Sequence, residues 1–215
     1  MKYMSKYPIY LEMSGRRVVV IGGGSVALRK VQALSQTGAR IVVVAENIAP
    51  KLEEAFQLPN VEIVLSSYRK DYLVGAVLAI AATNDLALNK QIFKDCQELE
   101  VLCNIVDQPE FCDFHVPAVV KRGNLQIAIS TDGNCPAYAG HIRRKLEEIF
   151  TETHGRFVDE LERLRPQIIE QIPDPDRRKT LLGKLAGDES FECFAQNNPE
   201  NWKKYTHNLI NSPDL

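Results

Sequence analysis

The stretch RVVVIGGGSVALRKVQALSQTG, residues 17–38, decides the fold. It opens with a run of β-branched residues, which is typical of a strand that is buried on both faces of a parallel sheet. Three glycines follow at once, and apolar residues then recur at helical spacing as far as Gly38, a residue type that commonly ends helices. A buried strand, a glycine turn and a helix in this order predict the first half of a βαβ unit.

The glycine turn fits the pattern G-x-G-x-x-G/A, which binds the pyrophosphate of dinucleotides when it lies between a strand and a helix. Gly22 permits the tight turn, Gly24 lets a phosphate approach the backbone, and Ala27 allows the helix to pack close to the strand. Gly23 completes the turn. The helix N-terminus adds free N–H groups and a positive dipole end. We therefore expect nucleotide binding here; a glycine turn with only a structural role is the alternative.

Predicted strands and helices alternate as far as residue 107. Further buried strands are predicted at 40–45, 61–65, 77–82 and 101–106. A helix is predicted between Asp85 and Leu99, where apolar residues mark one face. Such alternation is typical of an α/β fold with a doubly wound parallel sheet of the Rossmann type and right-handed crossovers.

The pattern changes after residue 107, and the chain is predicted to have three regions. Two strands, at 115–121 and 125–130, precede a helix that begins at Pro136, and only helices are predicted after Thr151. Two strands are too few to be stable alone, so we expect a second copy of the chain to cover them. The regions are a Rossmann-type NAD-binding domain at 1–113, a small α+β dimerisation and substrate-cleft region at 114–150, and a helical C-terminal region at 151–215.

Polar residues that follow the strands are candidates for holding the cofactor. Glu46 follows the second strand, near the place where an acidic residue binds the ribose 2′-hydroxyl and would repel a 2′-phosphate. This favours NAD over NADP, with Asn47 as the next ribose candidate; a solvated Glu46 is the alternative. Thr83 is expected beside the cofactor, with the next helix capped by Asn84 or Asp85.

Asp107 follows the strand that contains Asn104. Ligands of open α/β folds bind at the carboxyl edge of the sheet, so a carboxylate there can act as a general base. A turn aspartate before Pro109 is the alternative. His115 lies close in sequence and is a candidate for the same cleft, with a structural role as the other interpretation. The four histidines have no metal-ligand spacing, so no metal site is predicted.

A basic cluster, His141–Lys145, lies early in the helix that follows the loop 131–134. It includes Arg143 and Arg144. The loop and the cluster together would suit a polycarboxylate ligand. A solvated helix face is the alternative.

Composition excludes several classes of protein. Lys and Arg number 26 against 28 Asp and Glu, a formal net charge of -2 that argues against a nucleic-acid binder. No apolar run approaches the roughly 20 residues that span a bilayer, and the start lacks a signal-peptide core, so we expect a cytoplasmic protein without a membrane partner. Five cysteines without a C-x-x-C pair indicate neither a disulfide framework nor a zinc site.

Taken together, these residues resemble the precorrin-2 dehydrogenase / sirohydrochlorin ferrochelatase family, in the form that opens sirohaem synthases. The resemblance covers about residues 7–150 in unbroken order. It rests on YPIYL at 7–11, GR at 15–16, GGGSVALRK at 22–30, AIAATND at 79–85, NIVDQP at 104–109, FHVPAVVKRGNLQIAIST at 114–131 and IRRKLE at 142–147.

The resemblance implies that precorrin-2 is oxidised to sirohydrochlorin in sirohaem biosynthesis, with the hydride passing to NAD⁺. In many members the same site then inserts Fe²⁺. Asp107 matches the family's essential aspartate, and Thr131 matches a hydroxyl-bearing position beside the substrate cleft that is phosphorylated in some relatives. The family is homodimeric and exchanges its middle region between subunits. The positions that match NAD contacts are Ser25, Val26, Glu46 and Asn47.

The chain also departs from the family pattern. Asp132 and Cys135 replace a glycine and a serine in the pattern S-T-G-G-x-S-P, and Glu46 stands where proline is usual. Aspartate tolerates left-handed backbone better than most residues, so we expect the loop to keep its shape. Two other functions stay open: a non-catalytic NAD-binding regulator that senses redox state and binds a partner through 151–215, and an NAD-dependent dehydrogenase of an unrelated small molecule.

Overall fold

The computed structural model describes residues 6–48, 50, 53 and 57–212. The chain divides into two compact units, Met1–Val116 and Pro117–Leu215. The predicted boundary after residue 113 lies three residues from this division. The predicted regions 114–150 and 151–215 lie almost wholly in the second unit, and the division into three regions stays a prediction.

The first unit contains a parallel five-stranded sheet. Its strands follow the order β3-β2-β1-β4-β5, and β1 pairs in parallel with both β2 and β4. This doubly wound α/β arrangement confirms the predicted fold class. The strands are β1 (Arg17–Ile21), β2 (Arg40–Ala45), β3 (Val61–Leu65), β4 (Leu78–Ala81) and β5 (Leu102–Ile105).

Helices cover both faces of this sheet. Successive side chains of a strand point to opposite faces. Accordingly, Val18 and Val20 pack in the cluster that contains Ala27 of α1 (Ser25–Ser35). Val19 and Ile21 pack in the cluster on the other face, with residues of α2 (Leu86–Glu98). The uninterrupted apolar run of β1 is therefore the consequence of burial on two faces.

The second unit begins with an antiparallel hairpin of β6 (Ala118–Arg122) and β7 (Leu125–Ile129). The first strand was expected from residue 115 but begins at Ala118. Pro117 has no N–H with which to join a ladder, which explains the later start. Five helices follow in the part of this unit that the structure describes: α3 (Pro136–Ile149), α4 (Glu152–Gln171), α5 (Pro175–Leu185), α6 (Asp188–Ala195) and α7 (Pro199–Ile210).

The hairpin and the helices of the second unit pack closely on one another. A Cβ atom on Gly155 of α4 would lie 2.5 Å from the carbonyl oxygen of Arg122, so only glycine fits there. A helical core lies beyond this contact, around Phe157, Ile168 and Trp202. The apolar residues at helical spacing along α4 and its C-cap face this core: Phe157, Leu164, Ile168 and Ile172 are buried, and Leu161 is half-buried. None of the helices in the described ranges is both long and apolar enough to cross a membrane.

Candidate functional site

The three glycines after β1 have three different surroundings. Gly22 has φ +123°, and a Cβ there would lie 2.4 Å from the carbonyl oxygen of Ala82, at the end of β4. A Cβ on Gly23 would lie 2.3 Å from the carbonyl oxygen of Asn47. At Gly24, apart from its two chain neighbours, no atom of the described residues lies within 4 Å of an added Cβ. The first two glycines are therefore required by the fold, and the third faces open space.

The start of α1 fits the pyrophosphate of a dinucleotide. Gly24 is the N-cap, in extended conformation, and the first turn, which is described in full, carries no acidic side chain. Ser25 and Val26 open the helix, so their backbone N–H groups belong to the first turn. Ala27 is fully buried against the sheet, as its predicted packing role requires. The positive end of α1 is thus left for an anion.

Glu46 and Asn47 are exposed directly after β2. The Ser67 hydroxyl donates a hydrogen bond of 2.7 Å to Oε1 of Glu46. This bond uses one of about four lone-pair sites of the carboxylate, which leaves acceptor capacity for a ribose hydroxyl. Sequence reasoning missed Ser67, although it follows the end of β3 at the same edge of the sheet as the other candidates.

The segment after β4 holds the start of α2. Oδ1 of Asp85 accepts hydrogen bonds from the backbone N–H groups of Ala87 and Leu88, so Asp85, not Asn84, is the cap. The Thr83 hydroxyl donates to Oδ1 of buried Asn89 at 2.7 Å, and Asn89 donates back to the Thr83 carbonyl at 3.2 Å. The contact of Thr83 with a cofactor stays a prediction.

Asp107 lies in a strained turn directly after β5. It is exposed and has φ +62°, left-handed backbone that is uncommon for residues other than glycine. Such conformations cost of the order of 1–3 kcal/mol and cluster at functional sites, where the surroundings hold them. The backbone N–H of Gln108 donates to the carbonyl of Ile105 at 3.3 Å and closes the turn. The carboxylate therefore stands at the carboxyl edge of the sheet, as predicted.

Cys112 folds back onto this turn. Its thiol lies 3.2 Å from the carbonyl oxygens of both Ile105 and Gln108, and Nδ2 of Asn104 lies 3.5 Å from the sulfur. Burial raises the pKa of the Cys112 thiol, so at neutral pH it keeps its proton and acts as a donor. Sequence reasoning assigned no role to this cysteine.

The rest of this segment is fastened to β5. Oδ2 of Asp113 accepts the backbone N–H of Cys103 at 2.8 Å, and the Asp113 N–H donates to the Cys103 carbonyl at 2.8 Å. Nδ2 of buried Asn104 donates to the carbonyl of Phe114 at 2.8 Å. His115 follows this anchored segment and is half-buried. Its place in a substrate cleft stays a prediction.

Lys30 of α1 adds a cation near Asp107. Burial lowers the pKa of its ammonium and the charge of Arg29 lowers it further, whereas the charge of Asp107 acts in the opposite direction. The ammonium is therefore within electrostatic range of the candidate base. The sequence offered no signal for this pair, because it joins α1 to the segment after β5.

The loop 131–135 of the second unit is well ordered by its own hydrogen bonds. Oγ1 of Thr131 accepts the N–H of Cys135 at 3.1 Å, and the Thr131 carbonyl accepts the N–H of Asn134 at 3.0 Å. Asp132 has φ +56° and Gly133 has φ +82°. Asp132 thus adopts the left-handed conformation that was expected of it.

The two candidate arginines of α3 differ in their surroundings. Arg143 is half-buried and forms an ion pair with Glu147, one helical turn further on. Arg144 is exposed. The ion pair offsets the charge of Arg143, so Arg144 is the stronger candidate for an anionic ligand. Across the described ranges, no three or more His, Cys, Asp or Glu side chains are grouped to hold a metal ion.

The sheet order and the glycine turn define the first unit as a Rossmann-type dinucleotide-binding domain. The family model "Putative NAD(P)-binding" matches residues 9–118. The model "Sirohaem biosynthesis protein central" matches residues 122–149. The chain belongs to the precorrin-2 dehydrogenase / sirohydrochlorin ferrochelatase family, of the type that forms the N-terminal part of sirohaem synthases.

Individual relatives agree with this assignment. The chain is 34% identical over 198 residues to a siroheme synthase of Psychrobacter arcticus. The aligned region covers 92% of this chain and 36% of the relative. It is 39% identical over 176 residues to a siroheme synthase of Pseudomonas fluorescens, with 82% and 38% covered. The chain thus spans well under half the length of these relatives. The solved structure of SirC, precorrin-2 dehydrogenase, superposes on the chain with a TM-score of 0.77 and 25% sequence identity. The match covers 95% of this chain and 98% of the SirC chain.

Proposed function

We propose that the chain oxidises precorrin-2 to sirohydrochlorin with NAD⁺, as a step of sirohaem biosynthesis. One observation carries the proposal: the likeness to a precorrin-2 dehydrogenase extends over 95% of the chain. The siroheme synthases support the proposal only through the 36–38% of their length that aligns with this chain.

The first unit offers separate places for the pyrophosphate and for the adenosine ribose of the cofactor. The N–H groups at the start of α1 and the open space at Gly24 would receive the pyrophosphate. Glu46 would bind the adenosine ribose and disfavour a 2′-phosphate, which selects NAD over NADP. When bound, NAD⁺ supplies the acceptor for one hydride.

Asp107 is proposed as the base of the reaction. Precorrin-2 loses two hydrogens, one as a hydride to NAD⁺ and the other as a proton. The Asp107 carboxylate would take that proton, since it is exposed at the ligand edge of the sheet. His115 is proposed as a further residue of the substrate cleft.

The second unit is proposed to contribute to binding of the acidic tetrapyrrole. Arg144 on α3, and Arg143 to a lesser degree, would attract the carboxylates of the substrate. Thr131 would lie beside the macrocycle. The same unit would form the homodimer. Helices of the chain itself already cover one face of the hairpin, so the dimer rests on the family resemblance and on the exposed face that holds Val119 and Ala128.

A purified sample mixed with precorrin-2 and NAD⁺ tests the function. We expect NADH to form together with the sirohydrochlorin spectrum over many turnovers. Binding of NAD⁺ without any sirohydrochlorin would instead support the non-catalytic regulator. NADH formation only with some other small molecule would support the unrelated dehydrogenase. A second stage with Fe²⁺ measures metal insertion, the further reaction that the family resemblance implies.

A further inference from the structure

We propose that Cys112 is a positioning residue for Asp107, and that its thiol holds the turn that carries the catalytic carboxylate. The inference rests on the proposed function, in which Asp107 is the base. It concerns a side chain that the reaction itself does not use.

The contacts of the sulfur define this role. Sγ of Cys112 lies 3.2 Å from the carbonyl oxygen of Ile105 and 3.2 Å from that of Gln108. These carbonyls belong to the first and last residues of the turn, and Asp107 lies between them. One side chain therefore links both ends of the turn.

The turn needs such support. Asp107 holds left-handed backbone, and the backbone hydrogen bond that closes the turn is long, at 3.3 Å. Conformations of this kind persist where neighbouring groups over-determine them. A turn that relaxed would swing the carboxylate away from its place at the sheet edge.

Cys112 is itself fixed, so it can transmit this restraint. It forms an antiparallel bridge with Asn104 of β5, and the Asn104 amide contacts its sulfur. The next residue, Asp113, is hydrogen-bonded through both backbone and side chain to Cys103. The sulfur is thus attached to the sheet on one side and to the Asp107 turn on the other.

The chemistry of the thiol favours positioning over a reactive role. A nucleophilic or redox-active cysteine needs a lowered pKa. Burial instead raises the pKa of Cys112, which keeps the thiol protonated. A thiol has one proton, so it donates to one of the two carbonyls at a time or shares the proton between them.

Two substitutions separate the donor from the volume of the side chain. Cys112→Val keeps the bulk and removes the donor, and its backbone, with φ −127° and ψ 120°, suits valine. Cys112→Ser keeps a donor and reduces the bulk. Cys193→Ser, at a half-buried thiol of α6 in the second unit, controls for loss of a cysteine as such.

The test is a double-mutant cycle with Asp107→Asn, with kcat and KM measured for precorrin-2 oxidation. We expect Cys112→Val to lower kcat by about tenfold to a hundredfold, in the range that a misplaced catalytic group causes. Cys112→Ser should keep most of kcat. The dissociation constant for NAD⁺ should be unchanged in Cys112→Val and in Cys112→Ser. In the Asp107→Asn background, Cys112→Val should have no further effect on kcat.

Several outcomes would overturn the inference. Wild-type kcat for Cys112→Val, beside a slow Asp107→Asn, would remove Cys112 and leave Asp107 as the base. Equal losses in both backgrounds would mean a merely structural role. Full activity of Asp107→Asn would overturn the base assignment and the positioning role with it. Thermal unfolding of each variant shows whether it is folded. If Cys112→Val is not, Cys112→Ala takes its place as the variant without a donor: a folded, slow Cys112→Ala with unchanged NAD⁺ binding supports the inference, and wild-type kcat for Cys112→Ala contradicts it.

Discussion

The turns after β1 and β5 lie at the same edge of one sheet, but they are built in opposite ways. The turn after β1 is made of glycines, and two of them leave space that backbone carbonyls fill. The turn after β5 carries Asp107, the proposed base, in left-handed backbone, and the thiol of Cys112 contacts the carbonyl oxygens at both of its ends. The turn proposed to bind the cofactor is therefore formed by backbone alone, whereas the turn proposed to carry the base is contacted by a side chain from further along the chain.

The largest expected effect comes from the turn after β5. Asp107→Asn keeps the shape of the side chain and tolerates left-handed backbone, so it removes the base without adding strain. We expect kcat for precorrin-2 oxidation to fall by about 10²–10⁴. The dissociation constant for NAD⁺ should change little, because the glycine turn follows a different strand. An unchanged kcat would make Asp107 a turn residue only.

The next effect separates the glycines of the turn after β1. Gly23→Ala would force the carbonyl of Asn47 aside, and overpacking of this kind costs about 1–3 kcal/mol of stability. Gly24→Ala meets open space and should leave the thermal unfolding midpoint unchanged, while its methyl group weakens NAD⁺ binding. Thermal unfolding and calorimetric titration measure the two effects. Equal stability of both variants would show that the Asn47 carbonyl can move aside without a loss of folding free energy.

The smallest effect concerns cofactor choice. Glu46→Gln keeps an acceptor but removes the charge that disfavours a 2′-phosphate. We expect the ratio of NADP⁺ to NAD⁺ dissociation constants to fall by about tenfold, the scale of one hydrogen bond to a charged group. Ser67→Ala is a matched control, because it removes only the bond of 2.7 Å to Glu46. An unchanged ratio in Glu46→Gln would take Glu46 out of cofactor selection.

The sequence predicted the turn after β1 better than the turn after β5. Gly22 and Ala27 lie within one strand–turn–helix unit, so local spacing was enough to predict the turn and the packing of Ala27. The contacts that hold the Asp107 turn come from Cys112, which returns to the sheet through a bridge to Asn104. Such contacts within an irregular segment leave no periodic signal. The start of β6 was predicted three residues too early, although Pro117 gave a local signal for the later start at Ala118.

The contact between Gly23 and Asn47 joins the two segments that are expected to receive the cofactor. The Asn47 carbonyl fills the space where a side chain of Gly23 would stand, so the pyrophosphate turn and the ribose loop fit against each other without a gap. A cofactor would then meet a preorganised surface and lose little free energy to ordering it. The same contact means that neither segment can change its bulk independently, so a shift in cofactor preference by mutation must preserve the fit between them.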